Sequence, residues 1–255
     1  MKNCLDIQIE DIQIIAEKSE SEEFLFDCRD RAHDGFVYFI EGDGMFYTVD
    51  TTLSLPVMDG MLFFLRRGDS YRFRVARGCR YVTSAFRLSG EALGTADTPF
   101  PFGVLVSGRE ELAILQMVRE WESRREASYM RCKIAILSLY TDLLTEEKPS
   151  LDPATAAAVD FIHKNFRRPF TGAELAAACS LSISHLRQKF RSALGVSVTE
   201  YRDRLRIDAA REMLSSGLFT PKETAYALGY SDVYHFSKVF TAKVGKPPAK
   251  YAKKK

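Results

Sequence analysis

Residues 171–201 read TGAELAAACSLSISHLRQKFRSALGVSVTEY, and residues 220–251 read TPKETAYALGYSDVYHFSKVFTAKVGKPPAKY. The second stretch repeats the first. At an offset of 49 residues, Thr171, Glu174, Ala176, Ala178 and Ser182 recur as Thr220, Glu223, Ala225, Ala227 and Ser231. At an offset of 50, His185, Phe190, Gly195 and Tyr201 recur as His235, Phe240, Gly245 and Tyr251. The repeating unit is a helix, a tight turn and a second helix, so the pattern predicts two helix-turn-helix units within one domain.

The local chemistry places the helix ends. Thr171 with Glu174, and Thr220 with Glu223, fit the capping box, in which a hydroxyl and a carboxylate satisfy backbone N–H groups at a helix start. Pro221 stands where its missing N–H costs little. Ser182 and Ser231 are the expected N-caps of the second helices, which run to about Leu194 and Val244. Leu186 with Phe190, and Phe236 with Phe240, are four apart and share an inward face. Ser184, Arg187 and Gln188 are left pointing outward in the first unit. Val233, Tyr234, Ser237 and Lys238 are left outward in the second.

Charge divides the 255-residue chain unequally. Residues 1–150 hold 18 Lys and Arg against 25 Asp and Glu, whereas residues 151–255 hold 18 against 9. The formal net charge of +2 hides a basic C-terminal part. Such a part suits a polyanion, because its cations displace counterions condensed on phosphates.

Residues 155–252 resemble the DNA-binding domain of AraC-type transcription regulators. The stretches that carry the likeness are SISHLRQKFRSALGVSVTEYRDRLRIDAAREML and ETAYALGYSDVYHFSKVFTAKVGKPPAKY. Thr224 departs from the family pattern, which has an aliphatic residue there. The resemblance implies that one long helix, Thr199 to Ser215, joins the two units, with Leu205, Ile207, Ala210, Met213 and Leu214 on its buried side. Two reading helices about one DNA turn apart would then face successive major-groove segments of a double-stranded promoter or operator. At those positions Arg187 suits the O6 and N7 acceptors of guanine and Gln188 suits adenine. Ser184, Val233, Tyr234, Ser237 and Lys238 complete the DNA-contact set. Activators of this family also touch RNA polymerase, which makes it a further expected partner.

Residues 20–90 have strand character. Phe36–Glu41 and Met45–Asp50 flank Gly42-Asp43-Gly44 and read as a hairpin. Further strands follow at Leu53–Leu55, Met61–Leu65, Tyr71–Val75 and Tyr81–Leu88. Short antiparallel strands at this spacing suggest a small barrel or jelly roll. The segment also resembles the cupin-type sensor of the same regulators, through HDGFVYFIEGDG and FLRRGDSYRF. The resemblance implies a small-molecule effector, a sugar or related metabolite. Its expected polar anchors are Arg29, Arg31, His33, Tyr38 and Tyr71; the competing reading makes Arg29 and Arg31 surface partners of Glu22, Glu23 and Asp27, and Tyr38 a core residue. His33 is the sole histidine before residue 163, which argues against a metal centre in the barrel. No metal site, cofactor or catalytic residue is expected.

Two amphipathic helices are expected at Arg109–Arg125 and Ser128–Thr145. The second is apolar over much of its circumference. The resemblance assigns homodimerisation to this hairpin, and covering of the barrel is the alternative. The domain plan is therefore a sensor barrel over 1–107, a helical hairpin over 108–147, a linker over 148–154 and the DNA-binding domain over 155–255. The fold class is α+β, an N-terminal cupin-like β-barrel with a two-helix hairpin followed by an all-α domain with two helix-turn-helix motifs. The N-terminus lacks a basic region followed by an apolar run, and no segment approaches 18 uncharged apolar residues. Five scattered cysteines without C-x-x-C spacing fit reduced thiols, and the expected compartment is the cytoplasm. An enzyme or a plain cupin-type binding protein is the second reading, and a protein–protein adaptor the third. Against an enzyme stands the absence of G-x-S-x-G, Walker and dinucleotide motifs.

Overall fold

The computed structural model describes residues 7–49, 54–89, 102–106, 108–145 and 152–252. The chain divides into two compact units, Met1–Ser150 and Leu151–Lys255.

The first unit begins with β1 (Gln8–Glu20), β2 (Phe24–Cys28), β3 (Gly35–Glu41), β4 (Asp43–Thr48), β5 (Ser54–Met58), β6 (Met61–Leu65), β7 (Tyr71–Val75), β8 (Cys79–Ser89) and β9 (Phe102–Leu105). They form two antiparallel sheets, in the orders β1-β8-β3-β6-β9 and β2-β7-β4-β5. Aromatic rings from both sheets fill the space between them. Phe63 meets Phe39 at 6.0 Å and Phe73 at 5.1 Å, both edge to face, and Phe46 stacks on Phe63 at 5.2 Å. The outer face of the five-stranded sheet is covered by α1 (Gly108–Ser123) and α2 (Ser128–Thr145). Period-two alternation explains how β8 serves both layers. Val82, Phe86 and Leu88 join Ile114, Met117, Ile136 and Leu139 in the core beneath the helices. Tyr81 faces the other sheet, stacked on Phe24 and tilted against Phe39. All five residues of β6 are buried, as their unbroken apolar run requires of a strand covered on both faces.

Two expectations about the strands are corrected. Phe36–Glu41 and Met45–Asp50 do not pair as a hairpin. β3 pairs with β6 and β8, while β4 pairs with β5 and β7, so the chain changes sheets at Gly42. There the Gly42 N–H donates to the Asp59 carboxylate at 2.8 Å, tying this crossing to the return crossing between β5 and β6. Second, strand structure starts well before residue 20. β1 runs for 13 residues along β8, with register shifts between Ile9 and Asp11 and between Ile12 and Ile14. Those bulges break the simple alternation that marks a strand in sequence.

The second unit is helical: α3 (Pro153–Asn165), α4 (Gly172–Ala178), α5 (Ile183–Leu194), α6 (Val198–Ser215), α7 (Pro221–Ala227), α8 (Val233–Val244) and α9 (Pro248–Tyr251). Asp152 caps α3, its side chain accepting from the Ala154 and Thr155 N–H groups, with Pro153 in the first turn. Both capping boxes form, at Thr171 with Glu174 and at Thr220 with Glu223. Gly195 and Gly245 end α5 and α8 in the left-handed conformation, with φ 70 and 75.

The repeat holds to the level of single hydrogen bonds. Leu181 donates to the Ala176 carbonyl and Tyr230 to the Ala225 carbonyl, an offset of 49; Leu186 donates to Ser182 and Phe236 to Asp232, an offset of 50. The inserted residue is therefore Ser231. Its expected capping role passes to Asp232, whose carboxylate accepts from the Tyr234 and His235 N–H groups at 3.0 Å each.

Connector helix α6 serves both repeats. Tyr201 meets Phe190 edge to face at 5.5 Å. Ile207, Ala210 and Leu214 pack with Leu228, Phe236, Phe240 and Val244 in the core of the second unit. Beyond the expected apolar side, α6 also buries Arg206, Asp208 and Arg211. Arg211 pairs with Asp208 at 2.8 Å. Arg206 donates to the Phe166 carbonyl at 2.6 Å and lies 5.1 Å over the Tyr230 ring. Burial lowers its pKa and raises that of the Tyr230 phenol to about 12.

Candidate nucleic-acid interface and effector cavity

The reading helices are presented by their cores. Leu186, Phe190 and Leu194 bury one face of α5, and the opposite face exposes Ser184, Arg187 and Gln188. Phe236, Phe240 and Val244 do the same for α8. Its free face carries Tyr234, 88% exposed, and Lys238. Val233 and Ser237 are half-buried, and Val233 packs against the second core. The 3.6-residue period puts Val233 on the flank of α8, where the neighbouring core reaches it. Neither Arg187 nor Lys238 is paired with a carboxylate among the described residues, so both charges face solvent uncommitted. His185 and His235 are exposed as well, beside residues already singled out.

Thr224, the departure from the family pattern, is fully buried, and its hydroxyl donates to the Thr220 carbonyl at 2.9 Å. The polar atom is satisfied within its own helix, which is why the exchange is tolerated.

In the first unit, a cavity of about 410 Å³ opens between the sheets, lined by β1, β2, β3, β7 and β8 together with Arg31. Among the expected anchors, Arg31 and Tyr71 are brought together there. The Arg31 guanidinium donates to the Tyr71 hydroxyl at 2.5 Å, to the His33 carbonyl at 2.6 Å and to the Ser84 carbonyl at 3.3 Å. Gly35 makes room for this arrangement: a Cβ there would sit 2.1 Å from the Ser84 oxygen and 2.4 Å from the Arg31 guanidinium. Burial raises the Tyr71 phenol pKa against the pull of Arg31.

The other three anchors lie elsewhere. Arg29 is exposed and pairs with Asp27 at 3.2 Å. His33 offers its backbone carbonyl, not its ring, to Arg31. Tyr38 sits on the opposite face of β3 from Val37 and Phe39, in the core beneath the helices. Burial and the nearby Glu111 carboxylate raise its pKa to about 12. Among the described residues no three His, Cys, Asp or Glu side chains converge as metal ligands. The four described cysteines are free thiols, and no described helix is long and apolar enough to cross a membrane.

Two helix-turn-helix units share one helix, and each has an exposed second helix, the arrangement of a doubled helix-turn-helix module. Residues 175–254 match the family model described as "Helix-turn-helix domain". The HTH-type transcriptional activator Btr of Bacillus subtilis (strain 168) is 25% identical over 237 residues, covering 87% of this chain and 45% of that protein. A putative AraC-like transcription regulator of Streptomyces lividans is 33% identical over 102 residues, covering 40% of this chain and 34% of that one. The chain thus spans less than half the length of these curated relatives. The structure of ToxT from Vibrio cholerae aligns over 95% of this chain and 98% of its own, at 14% identity and a TM-score of 0.39.

Proposed function

We propose that this protein is a sequence-specific DNA-binding transcription regulator whose N-terminal unit holds a small-molecule effector, and that it is not an enzyme. The observation that carries the reading is the doubled helix-turn-helix with Arg187 and Lys238 exposed and unpaired on its second helices. α6 has 18 residues, which at 1.5 Å each gives a strut of roughly 27 Å. A strut of that order suits two reading heads addressing grooves about 34 Å apart on one duplex. The basic balance of residues 151–255 supports the same partner. As an activator the protein would also contact RNA polymerase, and its place is the cytoplasm with the DNA.

Homodimerisation belongs to the same proposal. Leu112, Met130 and Ile134 are each at least 60% exposed on the outer side of the α1–α2 hairpin, although the inner side is committed to the sheet. Sedimentation of wild type against Ile134→Glu tests this step, and a wild-type monomer would remove it.

The test of DNA recognition is a salt-titrated mobility shift on fragments recovered by genome-wide footprinting. Specific binding should weaken roughly 10³-fold or more between 50 and 200 mM salt for about six or more phosphate contacts. Absence of binding at low salt would support an adaptor instead.

A further inference from the structure

The cavity chemistry narrows the effector class. Its walls are chiefly carbon, with rings from Phe24, Phe26, Phe39 and Phe73 beside Val37. A sugar placed there would set hydroxyls against carbon walls, where an unpaired hydroxyl is unfavourable. A polyol therefore fits the space but not its lining.

The charge in the cavity is equally selective. Three of the five Arg31 N–H groups are used on neutral acceptors, His33 O, Tyr71 Oη and Ser84 O, leaving two free. Among the described residues no carboxylate lies within ion-pair distance of the guanidinium. The Asp69 carboxylate feels the charge of Arg31. That carboxylate is held by the Arg66 N–H at 2.8 Å and faces the Arg66 side chain. Of the other charged groups at the cavity, Glu20 accepts from the Tyr81 hydroxyl at 3.3 Å, and Lys18 is exposed. A half-buried cation fixed by three neutral acceptors against an aromatic wall is matched by a ligand bringing one anionic fork and a hydrocarbon body.

The geometry points to an apolar monocarboxylate as the effector class, with its carboxylate on Arg31 and Tyr71 and its body among the phenylalanine rings. This inference rests on the reading of the first unit as a sensor, and it replaces the sugar expected from family resemblance.

The test uses the full-length protein and calorimetric titration with three probes: decanoate, 1-decanol and D-glucose. Decanoate is expected to bind at least tenfold more tightly than 1-decanol, and glucose not at all. Arg31→Gln should cost decanoate at least tenfold in affinity and leave 1-decanol within about twofold. Equal binding of decanoate and 1-decanol, retention of decanoate affinity by Arg31→Gln, preference for glucose, or no binding by any probe would each overturn the inference. Should Arg31→Gln fail to fold by circular dichroism, the wild-type preference between decanoate and 1-decanol decides alone. No DNA enters the titration, so its failure is separate from failure of the mobility shift.

Discussion

A Cβ placed on Gly229 would lie 2.2 Å from the carbonyl oxygen of Arg167. Gly229 has φ 76, so a side chain there meets both an unfavourable backbone region and the chain that follows α3. Gly229→Ala should cost about 2–5 kcal/mol, the sum of left-handed strain and overpacking. Hydrogen exchange should show α7 and α8 opening faster in the variant; unchanged protection would mean that the Arg167 segment gives way freely.

The equivalent turn in the first helix-turn-helix repeat carries Ser180 at φ 55. Ser180→Gly should stabilise that repeat by about 0.5 kcal/mol, because relief of strain outweighs the added freedom of the unfolded chain. Slower amide exchange in α4 and α5 is the expected readout, and faster exchange would count against it.

The Asp152 carboxyl accepts from the Thr155 hydroxyl at 2.6 Å and from Lys189 at 3.0 Å. Those bonds, the Thr155 one first, hold its pKa down at about 2. A lowered carboxylate stabilises the fold above its unfolded value near 4, and the contribution is lost as pH falls through about 2. Asp152→Ala should therefore cost about 1 kcal/mol at pH 7, the worth of an N-cap, and distinctly less at pH 2, where about half the carboxyl is protonated. Melting of both proteins across that range measures the difference; a gap undiminished at pH 2 would contradict the capping account.

His163 places its Nε2 3.1 Å from the Tyr201 hydroxyl, and burial lowers its pKa. The neutral ring is favoured in the fold, so its contribution is complete above the unfolded value near 6.5 and declines as pH falls below it. His163→Gln should be more damaging at pH 7.5 than at pH 5.5, when each is compared with wild type by thermal melting. A pH-independent gap would remove the histidine from the account.

Arg187→Ala should weaken operator binding by about 1–3 kcal/mol and relax preference at one base pair. Lys238→Ala should lower the salt slope by about one if it meets a phosphate. Mobility shifts on single-base operator variants separate the two: uniform weakening by Arg187→Ala would make it a phosphate contact.

The helical half was legible because its signals are local. Capping boxes, a proline at a helix start and apolar residues four apart act over a single turn, and they survive in the sequence as a repeat. The cap of α8 was misread because Ser231 and Asp232 are both good caps, and only the turn geometry shows that one residue is inserted before the helix. The N-terminal half was legible strand by strand but not in its pairing. β1 was hidden by its bulges, and the Gly42-Asp43-Gly44 segment has hairpin composition yet carries the chain between sheets.

The site divides the same way. Exposure of Arg187, Gln188, Tyr234 and Lys238 follows from helical period alone. That Tyr38 leaves the cavity while Tyr71 and Arg31 meet in it depends on which face of each strand turns inward. The amino-acid order by itself determined the doubled reading unit, the charge asymmetry and the strand-forming segments, since these rest on contacts within a few residues. Only the tertiary structure decided sheet partnership, the burial of Arg206, Asp208 and Arg211 on α6, and the aromatic cavity around Arg31. Those depend on groups up to 81 residues apart in the chain, as the paired Gln8 and Ser89 are, and no local pattern records such a meeting.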